Sequence, residues 1–88
     1  MNITKKVLDY FQSKGPLPGN TEDEYLKCKY LDIGLLDSMQ LVEMIVLFEK
    51  EFKIRFLTKE MQSEEFRSIG GLIEILNRHL KKTNSNNA

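Results

Sequence analysis

Among side chains able to start chemistry, the hydroxyl of Ser38, the single thiol, Cys28, and the single imidazole, His79, stand out in this 88-residue chain. A serine hydroxyl is a weak nucleophile without a base to take its proton, and the only histidine lies far along the sequence. Cys28 is flanked by Lys27 and Lys29, whose charge is expected to lower the thiol pKa. With no base beside it, it reads as a packing residue. One cysteine and one histidine cannot build a thiolate–imidazole zinc cage. His79, between Arg78 and Lys81, is expected on the surface near a helix C-terminus, where a cation is favoured. Glu64-Glu65 reads as solvated first-turn charge. Gly70-Gly71 lacks the lysine and preceding strand of a phosphate loop. None of these groups assembles a catalytic site, so the chain is expected not to be an enzyme.

Ser38 is different because of where it falls. It opens the strongest helical pattern, in the run Gly34-Leu35-Leu36-Asp37-Ser38-Met39. The first turn of a helix has unpaired N–H groups and a partial positive charge, a favourable place for a phosphate. Ser38 is thus poorly equipped to react by itself and well placed to be modified by another enzyme. The plain alternative is that Asp37-Ser38 only caps a helix.

Over residues 37–53, Leu41, Ile45, Phe48 and Phe52 recur at intervals of four, three and four, and are expected to face the core. Asp37 is the expected N-cap, with Gln40 completing a capping box. Met39, Val42 and Val46 form a second apolar stripe, rotated by roughly 100–140° from the first. A surface helix ordinarily has one such stripe; the second packs under a loop or awaits a partner. Glu43 near it and Glu49 at the core edge add acidic points.

The remaining elements are those that must hold this helix. Residues 2–13 carry Ile3, Val7, Leu8, Tyr10 and Phe11 on one face, with Asn2 as cap and Gly15-Pro16 as stop. Residues 15–36 show no sustained period and read as a long loop. A helical turn near residues 22–27 is expected within it, with Tyr25, Leu26, Tyr30, Leu31 and Ile33 pinning it to the core. Residues 54–56 read as a short extended link. Ser63 is expected to cap a single turn over residues 64–67 that carries Phe66 inward. Ser68 caps a last helix bearing Ile69, Leu72, Ile73, Leu76 and Leu80; Gly70 and Gly71 near its start permit a close approach or are merely tolerated. The expected fold is all-α: a small four-helix bundle of three main helices and one short third helix, with a long loop between the first two. Residues 1–82 form the domain and residues 83–88 a disordered polar tail.

Composition agrees with one soluble domain: 41% of residues are apolar and 30% charged. Thirteen lysines and arginines balance thirteen aspartates and glutamates, which argues against a nucleic-acid binder. A helix-turn-helix reading fails on the acidic residues of the 37–53 helix. The lone cysteine fits a reducing compartment, and no apolar run approaches the roughly 20 residues of a membrane span. A cytoplasmic monomer without membrane insertion is expected.

The run Gly34-Leu35-Leu36-Asp37-Ser38-Met39, followed by Leu41-Val42-Glu43 and closed by Phe48-Glu49-Lys50-Glu51-Phe52, resembles the acyl and aminoacyl carrier proteins. The resemblance covers nearly the whole chain, from the first helix through the turn entered at Ser63-Glu64-Glu65-Phe66 to the last helix. It implies that Ser38 receives 4′-phosphopantetheine from coenzyme A through a phosphopantetheinyl transferase. The thiol of that arm would carry an acyl or aminoacyl group as a thioester. Asp37 matches the acidic residue that assists Mg²⁺-dependent transfer. Met39 matches an apolar position presented to partners, and Val42, Glu43, Val46 and Glu49 extend that surface. The partners implied are an acyl- or aminoacyl-loading ligase and downstream acyltransferases or synthases.

The chain departs from housekeeping carriers of fatty-acid synthesis, which are strongly acidic. Its net charge is zero, and Gln40 and Lys50 stand at positions often acidic in that group. Leu35-Leu36 before Asp37-Ser38 resembles D-alanyl and other stand-alone carriers loaded by adenylating ligases. A specialised pathway is therefore expected. The alternative of another class is a helical protein–protein interaction module that uses the Met39, Val42 and Val46 stripe without modification.

Overall fold

A computed structural model describes residues 2–86, with side chains through residue 81. The regular elements among the described residues are all helical: α1 (Ile3–Gln12), α2 (Glu22–Leu26), α3 (Ser38–Phe52), α4 (Thr58–Met61), a 3₁₀ turn (Glu65–Arg67) and α5 (Ile69–Asn86). No helix among them is long and apolar enough to cross a membrane.

The helices begin where side chains can satisfy their first N–H groups. Asn2 Oδ1 accepts from Lys5 N–H at 3.0 Å to start α1. The Thr21 hydroxyl accepts from Glu24 N–H at 3.3 Å at the head of α2. Ser68 Oγ accepts from Gly71 N–H at 3.1 Å at the head of α5, as its position predicts. Ser63 does not cap the 3₁₀ turn: its hydroxyl turns back and donates to the Glu60 carbonyl at 2.6 Å, finishing α4. That helix is one turn long, too short to leave a periodic signature in the sequence.

The α5 helix packs on α1, α2 and the 3₁₀ turn, and its start fits into a space only glycine leaves open. A Cβ on Gly71 would stand 2.0 Å from the Glu65 carbonyl oxygen, and one on Gly70 would stand 2.9 Å from the Leu26 carbonyl oxygen. Of the two readings of this pair, close approach is the one that holds. Ile69, Leu72, Ile73 and Leu76 are buried as expected, and so is Ile75, which the one-face pattern left out. The helix continues to Asn86 and takes in residues 83–86 of the expected polar tail. Residues 87 and 88 lie outside the described residues.

The connection between α1 and α3 holds α2 where the helical turn was expected. Tyr30 is its main anchor: the ring is fully buried and the hydroxyl donates to the Phe66 carbonyl. Burial pushes the Tyr30 phenol well above its ordinary range, against a smaller opposing effect of Arg67. Arg67 pairs with Asp32 at 2.6 Å, and Ile69 N–H donates to the Cys28 carbonyl at 3.0 Å. Ile33, expected as a further anchor, is exposed instead; Leu36 takes that role and is buried. Cys28 is buried too, and burial raises its thiol pKa, contrary to the lowering expected from Lys27 and Lys29.

His79 also departs from expectation. Its Nε2 lies 2.7 Å from Glu60 Oε1, and its ring stands edge-on to Phe56 with centroids 6.3 Å apart. The half-buried pair joins α4 to α5. Sequence position alone could not place α4 against that face.

Candidate functional site

The backbone before Ser38 is set by a hydrogen-bonded turn. Gly34 N–H donates to the Leu31 carbonyl at 3.3 Å and Leu35 N–H to the Tyr30 carbonyl at 3.0 Å. With Gly34 at φ 73°, this is the Schellman arrangement, which needs a residue at ease in the left-handed region. Leu35 leaves the turn half-buried, Leu36 enters the core, and Asp37 and Ser38 emerge on the surface. One glycine and one buried leucine thus aim the serine.

Asp37 caps α3 through a reciprocal pair of hydrogen bonds. Gln40 N–H donates to Asp37 Oδ1 at 2.8 Å, and Asp37 N–H donates to Gln40 Oε1 at 3.1 Å. Asp37 Oδ2 accepts no hydrogen bond among the described residues. Ser38 is the first residue of α3 and is exposed. Its hydroxyl has no hydrogen-bond partner among the described residues, and the N–H groups of Ser38 and Met39 have no acceptor there. An open hydroxyl, two open amides and an uncommitted carboxylate oxygen therefore share the first turn of a fifteen-residue helix.

The two stripes of α3 sort themselves. Met44, Phe48 and Phe52 are buried. Leu41 and Ile45, expected in the core, are half-buried at its border and pack against it. Met44 was not part of the expected face. On the other side Met39 is 75% exposed, and Val42 and Val46 are each 59% exposed. The second stripe is not covered by the connection between α1 and α3.

The acidic points differ from one another. Glu43 is exposed. Burial and, after it, the Glu43 charge raise the pKa of the Tyr10 phenol. Glu49 is turned toward the chain: its Oε2 accepts from Phe56 N–H at 2.9 Å. It holds the extended link after α3. Sequence reasoning missed the part of this surface contributed by α1 and the turn that follows it. Tyr10 and Lys14, together with Leu47 and Lys50 of α3, line a hollow beside Val42 and Val46. The four-residue spacing of Tyr10 and Lys14 was the available signal. No group of three or more histidine, cysteine, aspartate or glutamate side chains among the described residues is arranged to hold a metal ion.

The chain matches no protein-family model, no curated protein and no solved structure.

Proposed function

We propose that the chain is a stand-alone carrier protein, modified on Ser38 with 4′-phosphopantetheine and bearing an acyl or aminoacyl thioester. The observation that carries this reading is the exposed, unengaged Ser38 at the head of α3, with the exposed stripe Met39, Val42 and Val46 running from it along one helix. In this reading α1, α3, the 3₁₀ turn and α5 are the four helices of a carrier bundle, and residues 13–37 are its long first connection.

The residues suit the group. The Ser38 hydroxyl is accessible to a transferase, and the open amides of Ser38 and Met39 favour the anionic phosphodiester. Asp37 keeps one carboxylate oxygen uncommitted near the reacting hydroxyl while the other caps the helix. Transfer joins Ser38 Oγ to phosphorus, with loss of the hydroxyl proton and release of adenosine 3′,5′-bisphosphate from coenzyme A. When bound, the arm supplies the thiol that carries the cargo. The carrier performs no catalysis. Its partners are a phosphopantetheinyl transferase, a loading ligase and downstream acyltransferases or synthases. The zero net charge favours a specialised pathway, and Leu35-Leu36 favours an adenylating ligase, of the D-alanyl type among others, as the loading enzyme.

Incubation with coenzyme A, Mg²⁺ and a broad-specificity transferase is expected to add the mass of one phosphopantetheine, and Ser38→Ala to abolish it. An unmodified wild-type chain after trials with several transferases would leave the interaction-module reading in its place. Modification that survives Ser38→Ala would move the site elsewhere.

A further inference from the structure

Between α1 and α3 runs a groove whose wider part, about 530 Å³, is walled by Val42, Val46 and Leu47 on one side and Tyr10 on the other. A second hollow of about 400 Å³, beside Phe48 and Phe52, shares Tyr10 and Leu47 with it as walls. Val42, Val46 and Leu47 are exposed, so nothing in the described chain covers this wall. Its apolar character extends the stripe that starts beside Ser38.

The charges around the groove are unevenly committed. Lys6 pairs with Glu51 at 2.5 Å, and Lys5 pairs with Asp9 at 3.4 Å. Glu49 is occupied by the Phe56 N–H. At the wider part this leaves Lys14 and Lys50 against Glu43 alone, with no ion pair to either lysine among the described residues. The Lys14 ammonium lies 5.2 Å from the Tyr10 ring centroid, a cation–π contact that holds it at the rim. Although the whole chain is neutral, the uncommitted charge at this rim is positive.

We infer that the groove docks an amphipathic helix of a partner protein whose apolar ridge is bordered by acidic residues. A trough between two packed helices accepts the side-chain ridge of a third, and its length seats apolar anchors at helical spacing. The flanks are acidic because Lys14 and Lys50 are the charges still seeking partners, and a basic flank would place like charges together. A lipid surface fits less well, because the apolar wall lies in a trough between two helices and not on a convex face. The inference deepens the carrier reading by naming the kind of partner, but its test does not require modification.

The isotope-labelled Ser38→Ala chain is titrated with two synthetic helical peptides of about 18 residues. Both carry the same leucine ridge, flanked by glutamates in one and lysines in the other. The glutamate peptide is expected to bind about three- to tenfold more tightly at low salt, with the preference shrinking as salt rises. The largest amide shifts should fall at Val42, Val46 and Leu47. The double variant Lys14→Glu with Lys50→Glu should reverse the preference. Equal or tighter binding of the lysine peptide, shifts elsewhere, or binding of neither peptide would overturn the inference. Phosphatidylglycerol vesicles bound through the same residues, with both peptides ignored, would assign the groove to a lipid surface. Peptide selectivity together with a wild-type chain that no transferase modifies would remove the carrier reading alone. Modification without selectivity would remove this inference alone.

Discussion

The Glu49 carboxylate accepts the backbone N–H of Phe56 at 2.9 Å, across the left-handed cap at Lys53, where φ is 55°. A side chain within α3 thereby holds the link that follows α3, and Phe56 is delivered into the core. Glu49→Ala should cost about 1–3 kcal/mol in denaturant melts, the range for a charged partner removed from a sheltered N–H. Glu49→Gln, which keeps an acceptor, should recover part of that. If the proposed carrier role holds, loading by the ligase should be unaffected at temperatures where the variants stay folded. A large loading defect in a fully folded Glu49→Gln chain would return this residue to the docking surface.

Asp37 and Ser38 are neighbours with separable roles. Asp37→Ala removes the acceptor for Gln40 N–H and should lower stability by about 1 kcal/mol. Ser38→Ala removes a hydroxyl with no partner in the described chain, and should change stability by less than about 0.5 kcal/mol, as exposed substitutions do. Thermal melts of the two variants check the ordering. A Ser38→Ala loss as large as that of Asp37→Ala would mean that the serine hydroxyl is part of the cap.

What was legible in the sequence is what local chemistry dictates. Asn2, Asp37 and Ser68 cap helices because a short polar side chain before an apolar period has one good geometry, and each does so here. The exposed stripe of Met39, Val42 and Val46 was legible from spacing, and the structure leaves it uncovered. Facts that depend on distant packing were not legible. Met44 replaces Leu41 and Ile45 at the centre of the buried face because tertiary packing, with Tyr10 of α1 against Phe48, decides which part of α3 is covered. His79 leaves the surface because α4, invisible to periodicity, brings Glu60 to it. Cys28 loses the influence of its lysine neighbours because tertiary burial dominates its thiol.

Glu60 gives stability a dependence on pH. Burial raises its pKa, but the Leu57 N–H, the His79 ring and the Arg78 charge together outweigh this and hold it below the ordinary 4.5. A carboxyl whose folded pKa is depressed contributes stability that is present above its unfolded pKa and lost as pH falls through the folded value. Glu51 beside Lys6 and Glu65 beside Arg78 are shifted in the same direction. Denaturant midpoints should therefore hold steady above about pH 5 and fall as pH drops toward about 3. Glu60→Gln should flatten part of that fall. An unchanged slope in the variant would show that the Glu60 contacts contribute nothing to acid stability.

Gly71 and Gly34 should respond to alanine for different reasons. At Gly71 the new Cβ would meet the Glu65 carbonyl oxygen at 2.0 Å, so α5 must move off the 3₁₀ turn. A loss above about 3 kcal/mol is expected, beyond the ordinary range for a single substitution. At Gly34 the Cβ meets nothing within 4 Å, but φ is 73°. The cost there is conformational, about 1–2 kcal/mol. Equal losses at the two positions in melts would show that the contact of α5 with the turn relaxes easily.

The face of α3 offers the sharpest separation of fold from recognition. Met44 is fully buried and Phe48 nearly so, with the Phe48 ring packed against Tyr10 of α1 at a centroid distance of 5.2 Å. Met44→Ala should cost about 2–5 kcal/mol and Phe48→Ala about 3–5 kcal/mol, through lost transfer energy and the cavities left behind. Val46 lies two residues from each yet is 59% exposed, and Val46→Ala should cost less than about 1 kcal/mol because little apolar area leaves water at that position on folding. In loading assays the order should reverse. Under the carrier proposal, Val46→Ala, fully folded, should weaken recognition by the loading enzyme, while Met44→Ala should load normally at temperatures well below its melt. Val46→Ala as destabilising as Met44→Ala would mean that the stripe is covered in solution. Full loading of a folded Val42→Ala, Val46→Ala chain would move recognition away from this helix.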